Sequence, residues 1–441
     1  MISKERVLTI LRLAFPVTIA LGSSMIMVMI DLAMVGTLGN NAVAGIGLAG
    51  FVSTLVFAFV LGISPAVQGI VARRLGADSQ EKQCLPVNAG LLLALCLGLP
   101  LSLLGSHFSP WVFNLLSDDP GVVQEGSGYL SILLLACVAQ GMNNAFEGHW
   151  NGLSRMKMYM SVILFTNVLN IFCNYVFIFG NFGAPALGSR GAAMASVIAI
   201  CSGMLIYLAA TWQRFRHQGF LSAMPGTALV RQIFKIGLPS TLQQVFFSLG
   251  SVVLFWMYGQ IGTSELAAAA VLVRTTMVMF LFAMALGKVS ATLVSEALGR
   301  GDSVAATRFG EDAGKIGVIW ITALGLPLLF FPTQFLGLFL SDAETIALAT
   351  LPLQITAVST GVVSLSFIFT TTLFSVGYGK KVMLISFSLR WLLFIPAVWV
   401  LSIYLGYGLL EVWFAQMIYG LVLMLMITGL WRAGKWKNIR V

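Results

Sequence analysis

Long apolar runs, broken by short clusters of Gly, Pro, Asn and charge, divide the chain at about 7–35, 42–74, 85–106, 122–153, 158–179, 188–213, 230–259, 264–299, 303–331, 345–377, 382–404 and 408–432. Each run reaches the roughly 20 apolar residues that a helix needs to cross a bilayer, so the pattern predicts twelve transmembrane helices. Several exceed thirty residues and should tilt or project beyond the membrane. The first run, Leu13 to Val35, is too long for a signal-peptide core and lacks a small-residue cleavage site, so it is expected to remain as the first helix. Composition agrees: 58% of the 441 residues are hydrophobic and 9% charged, against roughly a quarter charged in soluble domains. A large soluble domain is excluded.

The net charge of +9 changes the picture only through its placement. Lys4, Arg6, Arg12, Arg73, Arg74, Lys82, Arg155, Lys157, Arg214, Arg216, Arg231, Lys235, Arg300, Arg308, Lys315, Lys380, Lys381, Arg432, Lys435, Lys437 and Arg440 all fall in alternate connections, which is 21 of the 25 basic residues. The opposite connections hold Arg190 with Asp118, Asp119, Glu125, Glu265, Asp342, Glu344 and Glu411. By the positive-inside rule both termini are cytoplasmic, in a multi-pass protein of the plasma (inner) membrane. The positive excess is a topology signal, and no nucleic-acid partner is expected. The five cysteines (Cys84, Cys96, Cys137, Cys173, Cys201) lie in apolar stretches without metal or disulfide spacing and read as small core residues.

The chain also repeats itself. A shift of 223 residues lays Pro16 on Pro239, Thr18 on Thr241, Gly36 on Gly259, Gly39 on Gly262, Phe57 on Phe280, Gly76 on Gly299, Phe146 on Phe369 and Lys157 on Lys380. Six helices per repeat is an even number, so both repeats enter from the same side and are parallel, related by an axis along the membrane normal. The expected fold is all-α and integral to the membrane: an N-lobe at 1–213, a basic cytoplasmic linker at 214–229 and a C-lobe at 230–441, around a central cleft. That layout suits alternating access, hence a transporter rather than an intramembrane enzyme. Consistent with this, His107, His149 and His217 form no metal pattern, and neither a P-loop nor a G-x-S-x-G elbow occurs. No cofactor is expected, and without a nucleotide site the energy must come from an ion gradient.

Ionisable groups within spans are costly enough to be functional candidates. Asp31 stands eight residues before the Gly39-Asn40-Asn41 turn, about 12 Å below the outer surface. A lone carboxylate in a low dielectric suits a group that takes and releases a proton. On the fifth helix Asn174 and Asn170 lie roughly 9 and 15 Å deep, bracketing that depth, and share a face by their i, i+4 spacing. Amides serve a carboxylate in either protonation state. Asn143 and Asn144 on the fourth helix are further candidates, as is Asn167 on the fifth. Glu147 is a possible second protonatable group. Arg274, Lys288, Glu296 and Arg390 are interior or half-interior charges of the second repeat, with Arg274 the deepest. Pro16 and Pro239 permit bends in the first and seventh helices. The many Met and Phe residues suit variable hydrophobic ligands where they face the cleft.

The stretches M-I-D-L-A-M-V-G-T-L-G (29–39), A-R-R-L-G-A-D (72–78), N-I-F-C-N-Y-V-F-I-F-G (170–180), G-S-R-G-A-A-M-A-S (188–196) and E-A-L-G-R-G-D (296–302), in this order on a duplicated twelve-helix chain, resemble the MATE family of multidrug and toxic compound extrusion transporters. The resemblance covers nearly the whole chain. It implies two six-helix lobes, monomeric function, and efflux of organic, often cationic, compounds or amphipathic drugs in exchange for protons or sodium. One bacterial branch places cation-binding acids on the seventh and tenth helices; here those helices offer Gln243, Gln244, Ser364 and Thr370 to Thr372 but no acid. The DinF-like branch instead uses an acid of the first helix with polar residues of the first lobe, which matches Asp31 with Asn170. Asn174 stands where many relatives have Asp. That departure leaves Asp31 as the sole acid of the site and favours protons, with sodium still possible on one carboxylate and amide oxygens. The implied cycle protonates Asp31 from outside, rearranges its amide bonds and bends the first helix at Pro16. A lipid-linked oligosaccharide flippase of the same superfamily is the alternative, although Arg274, Lys288 and Arg390 are modest material for an anionic headgroup.

Overall fold

The computed structural model describes residues 3–78 and 84–439, and these form helices and turns with no strand; Lys82 and Arg440 of the charge pattern lie outside the described residues. Twelve spans follow in order: α1 (Lys4–Gly36), α2 (Asn40–Gly76), α3 (Leu85–Leu116), α4 (the bent pair Pro120–Leu134 and Cys137–Gly152), α5 (Met156–Phe179), α6 (Ser189–Phe215), α7 (Thr227–Ile261), α8 (Thr263–Gly299), α9 (Ser303–Phe330), α10 (Ala343–Ser375), α11 (Gly379–Tyr404) and α12 (Leu409–Arg432). Every apolar run has become one of them. Large apolar side chains such as Leu103, Trp111, Leu115, Leu392 and Leu393 point outward, as they must where the solvent is hydrocarbon. The interior is instead rich in small and hydroxyl residues: Ala283, Ala285, Ser290, Ala291 and Thr292 of α8, and Ser364, Thr370 and Thr372 of α10, are buried. With lipid as apolar as leucine, helices associate through close packing and hydroxyl bonds such as Thr372 Oγ1 to Ser290 Oγ at 2.8 Å. Asp119, Asp302 and Asp342 each accept from backbone N–H groups at the start of a helix, satisfying donors that the first turn cannot pair internally. At Asp342, outside the spans, the Thr345 hydroxyl and N–H hold the carboxyl below the usual carboxylate range.

The repeats differ in where they break. α2 is interrupted between Leu61 and Ile63, because Pro65 has no N–H to give the Leu61 carbonyl and its ring crowds that oxygen. Asn144 of α4 donates to the neighbouring Val60 carbonyl at 3.1 Å, which also accepts the Gly62 N–H, and so ties α4 to the break. The repeat mate of Pro65 is Lys288, and α8 runs through without interruption. α4 bends by 49° near Leu135, while its mate α10 is continuous. Conversely α11 contains π-helical turns at Ser388–Phe394 and Val400–Tyr404, where α5 is regular.

Two compact units emerge. One holds Phe15–Thr241; the other holds the chain up to Ala14 and from Leu242 on. The division does not fall at 214–229, where the sequence places it, but within α1 and α7, two residues from Pro16 and three from Pro239. Within the first unit α2 and α3 pack on α4, and α5 on α6; within the second, α8, α9 and α12 pack on α10. An ion pair ties the start of α1 to the second unit: Arg6 Nε donates to Asp312 Oδ2 of α9 at 2.7 Å, with Asp312 only 4% exposed. The sequence reading did not single out Asp312. Asp312→Asn is expected to destabilise the protein by roughly 2–3 kcal/mol, at or below the low end for a buried pair because Arg6 is partly exposed. The double variant Arg6→Met/Asp312→Leu should recover most of that loss, both read from the melting midpoint in detergent.

Candidate functional site

Asp31, Asn170 and Asn174 come together inside the first unit. Asp31 is half-buried on α1, and both asparagines are 1% exposed on α5. The Asn174 amide donates to Asp31 Oδ1 at 2.5 Å and to Asn170 Oδ1 at 3.1 Å. Asn170 in turn donates to Ser196 Oγ of α6 at 3.3 Å; with its amide turned over, it donates to Asp31 Oδ1 at 3.0 Å and accepts from the Ser196 N–H at 3.3 Å. The amide thus has partners in both orientations. Tyr129 of α4 completes the group, with its hydroxyl bonded to Ser196 and its ring in the field of Asp31. One turn earlier on α5, Asn167 donates to Ser23 Oγ at 2.9 Å and to Ser24 Oγ at 3.3 Å on α1. Among the described residues Asp31 makes no ion pair.

Chemically, the knot is a single carboxylate surrounded by neutral groups that can both donate and accept. Ionised, Asp31 takes the Asn174 N–H; protonated, it becomes a donor and needs an acceptor. The Asn174 Oδ1 is buried and accepts no hydrogen bond among the described residues, so turning the amide would offer it as that acceptor. Asn174→Leu is expected to cut transport about tenfold or more, since a hydrogen bond to a charged group is worth about 1.5–3 kcal/mol; initial efflux rates in proteoliposomes would measure it.

Other candidates lie elsewhere. Asn144 bonds Val60 and accepts from Gln140 Nε2 at 3.3 Å, and Asn143 donates to the Ile200 carbonyl of α6 at 2.9 Å. Neither is hydrogen-bonded to Asp31, and both tie helices together. Glu147 is half-buried and lies in the electrostatic environment of Tyr207. Pro16 is buried within an unbroken α1. Arg274, expected to be interior, is exposed on α8. Glu296 pairs with Arg300 at 2.7 Å one turn along α8. Of the five cysteines expected in the core, Cys96 is exposed and Cys201 half-buried.

Arg390, 7% exposed, is the buried cation among the described residues of the second unit. It is the repeat mate of Asn167, and its neighbours are the mates of that residue's neighbours. Asn167 bonds Ser23 and Ser24; Arg390 lies 4.2 Å over the ring of Phe247, the mate of Ser24, and Trp391 Nε1 donates to the carbonyl of Phe246, the mate of Ser23. Where Ser196 serves Asn170, its mate Tyr419 hydrogen-bonds Arg390. The same α1–α5–α6 contact is therefore rebuilt in α7–α11–α12 with opposite charge character. Asp31 and Asn174 correspond to Leu254 and Ala397, so the carboxylate site exists in one repeat alone.

A MatE family model matches the chain twice, at residues 16–176 and 239–400, starting at the same 223-residue offset as the repeat. The chain belongs to the MATE family of transporters. It is 30% identical to the "Probable multidrug resistance protein NorM" of Burkholderia pseudomallei, over 79% of this chain and 75% of that one. It is 28% identical to the protein of the same description from Bradyrhizobium diazoefficiens, over 91% and 88%. Its fold is similar to that of a MOP superfamily transporter from Pyrococcus furiosus, with a TM-score of 0.86 at 21% identity, covering 96% of this chain and 95% of that one. This MATE transporter is thus an all-α membrane protein of twelve spans built from two repeats.

Tyr129, Ser196, Ser23 and Ser24 carry hydroxyls, which the pattern of acids and amides along the spans does not single out. A depth rule would have found two of them. Ser196 lies eight residues inside the Gly188 turn and Tyr129 ten inside the Asp119 cap, about 12 and 15 Å deep and level with Asp31.

Proposed function

We propose that this MATE transporter exports organic, often cationic, compounds and amphipathic drugs in exchange for protons by alternating access, with Asp31 as the protonation site. The observation that carries this reading is the Asp31 carboxylate on the Asn174 amide at 2.5 Å, a lone acid among neutral, reversible hydrogen-bond partners. The names of its NorM relatives support drug-like substrates. In the proposed cycle, protonation from the outer side removes the charge that the Asn174 N–H stabilises. The Asn170 and Asn174 amides turn, α1 bends beside Pro16, and substrate leaves outward. Loss of the proton to the cytoplasm restores the ionised state, and a cationic substrate entering from the cytoplasm or inner leaflet is favoured by the restored negative charge. Each state is selected by its differential interaction with the proton and with the substrate.

The test is accumulation of a fluorescent organic cation in inverted proteoliposomes under an imposed pH gradient and, separately, a sodium gradient. Accumulation driven by the pH gradient alone is expected. Accumulation driven only by sodium would move the coupling to a sodium ion held by Asp31 and amide oxygens. No cation transport under either gradient, together with translocation of a polyprenyl-phosphate lipid, would favour the flippase alternative.

A further inference from the structure

We infer that the first unit carries a specific binding site for an anionic phospholipid, with one acyl chain seated between α3 and α7 and its phosphate on Arg231 and Lys235. A groove of about 350 Å³ runs there, bounded by the break in α2, the middle of α3 and the stretch of α7 from Ile233 to Thr241. That volume holds on the order of ten methylene-sized groups, at roughly the 30 Å³ that a water-sized group occupies. Its walls are hydrocarbon: Phe59 and Ile63 from α2, Leu97 and Leu101 from α3, Phe234 and Leu238 from α7. Its floor is the close approach of Gly62 to Gly237. Phe234 and Leu238 are 40% and 39% exposed, so the groove is open along this side of α7.

What selects an anionic occupant is the end of the groove. Arg231, Phe234, Leu238 and Thr241 stand at i, i+3, i+7 and i+10 along α7, a single helical stripe. Arg231 therefore sits one turn beyond the apolar wall, toward the basic end of the bundle, and Lys235 follows it at i+4. Both are exposed. Neither makes an ion pair among the described residues. No Asp or Glu occurs anywhere from residue 148 to 264, so no acid in this stretch competes with a phosphate. The connection that leads into α7 is held in place on α3: Asn88 donates to the carbonyls of Gly219 and Ala223, each at 2.9 Å, and accepts from the Leu221 N–H at 3.2 Å. An apolar slot with Arg231 one turn beyond its wall and Lys235 beside Phe234, neither in an ion pair among the described residues, matches a lipid with an anionic head and repels the organic cations proposed as substrates. The inference does not depend on that proposal, since it rests on the groove and its charges.

The experiment is native mass spectrometry of the full chain in detergent, with phosphatidylglycerol or phosphatidylcholine of equal chain length added. One phosphatidylglycerol is expected to be retained with at least a fivefold preference. Arg231→Gln/Lys235→Gln should reduce the preference to near parity, while Lys380→Gln/Lys381→Gln, the same charge loss at the same end of the bundle, should leave it unchanged. A phosphatidylglycerol with a photoactivatable acyl chain should cross-link to Cys96–Leu101 and Ile233–Leu238. Equal loss in both double variants, unchanged preference in the first, cross-links confined to other helices, or displacement of the lipid by tetraphenylphosphonium would each overturn the assignment.

Discussion

Asp31→Asn is expected to abolish accumulation driven by a pH gradient while leaving the protein folded. The substitution is nearly isosteric, and the Asn174 N–H can still donate to the new side-chain oxygen in the place of Asp31 Oδ1. What disappears is the ability to exist in two protonation states. A gradient of two pH units is worth about 2.7 kcal/mol per proton, which for one-for-one exchange supports a concentration ratio of about a hundredfold. A group that cannot titrate transmits none of it. The variant should therefore fall to a ratio near one, with substrate binding by equilibrium fluorescence and the melting midpoint close to the parent. A ratio that survives the substitution would show that the coupling group is elsewhere, and Glu147 would be the next residue to replace.

The second large effect is steric. A Cβ on Gly62 would overlap the Gly237 carbonyl oxygen and the Thr241 hydroxyl, and a Cβ on Gly237 would stand 2.6 Å from the Gly62 carbonyl oxygen. Backbone oxygen cannot rotate out of the way as a side chain can. Gly62→Ala and Gly237→Ala are each expected to lower stability by about 2–3 kcal/mol, the upper part of the range for overpacking, and to separate α2 from α7 by widening this contact. A nitroxide pair placed on the two helices would read the separation as an increased distance, and the melting midpoint would fall. Gly22→Ala is the control. Nothing lies within 4 Å of a Cβ at Gly22, so removing a mid-helix glycine there should be neutral or stabilise by about 0.5–1 kcal/mol. Equal effects at Gly22 and Gly62 would mean that the close approach is not what limits the substitution.

Twelve spans, the all-helical architecture and the duplication were legible in the chain because each depends on local pattern. Apolar length decides what crosses a bilayer, and the 223-residue echo survives in Pro, Gly and Phe positions whose backbone or packing role is the same in both repeats. The core of the candidate site was legible for a related reason. Along a spanning helix, distance from the end of the run converts to depth, so Asp31, Asn170 and Asn174 fall at one level before any contact is known. Depth is one coordinate only. Asn144 lies near the midplane by the same arithmetic, yet its azimuth turns it toward the Val60 carbonyl, and Arg274 is deep in the chain pattern but exposed in the fold. Rotation about the helix axis is set by which helices pack together, and a shift of one residue in sequence is about 100° in direction.

Local sequence therefore determined the number of spans, the repeat and the depth of the polar residues, because hydrophobic length and helical rise act within one segment. Tertiary packing alone decided that Tyr129 and Ser196 join Asp31, that the start of α1 is tied by Arg6 to Asp312, and that Gly62 meets Gly237 backbone to backbone. These are meetings of groups distant in the chain. Their formation depends on the close fit of small residues and on satisfying each buried polar group, a balance that no single segment carries.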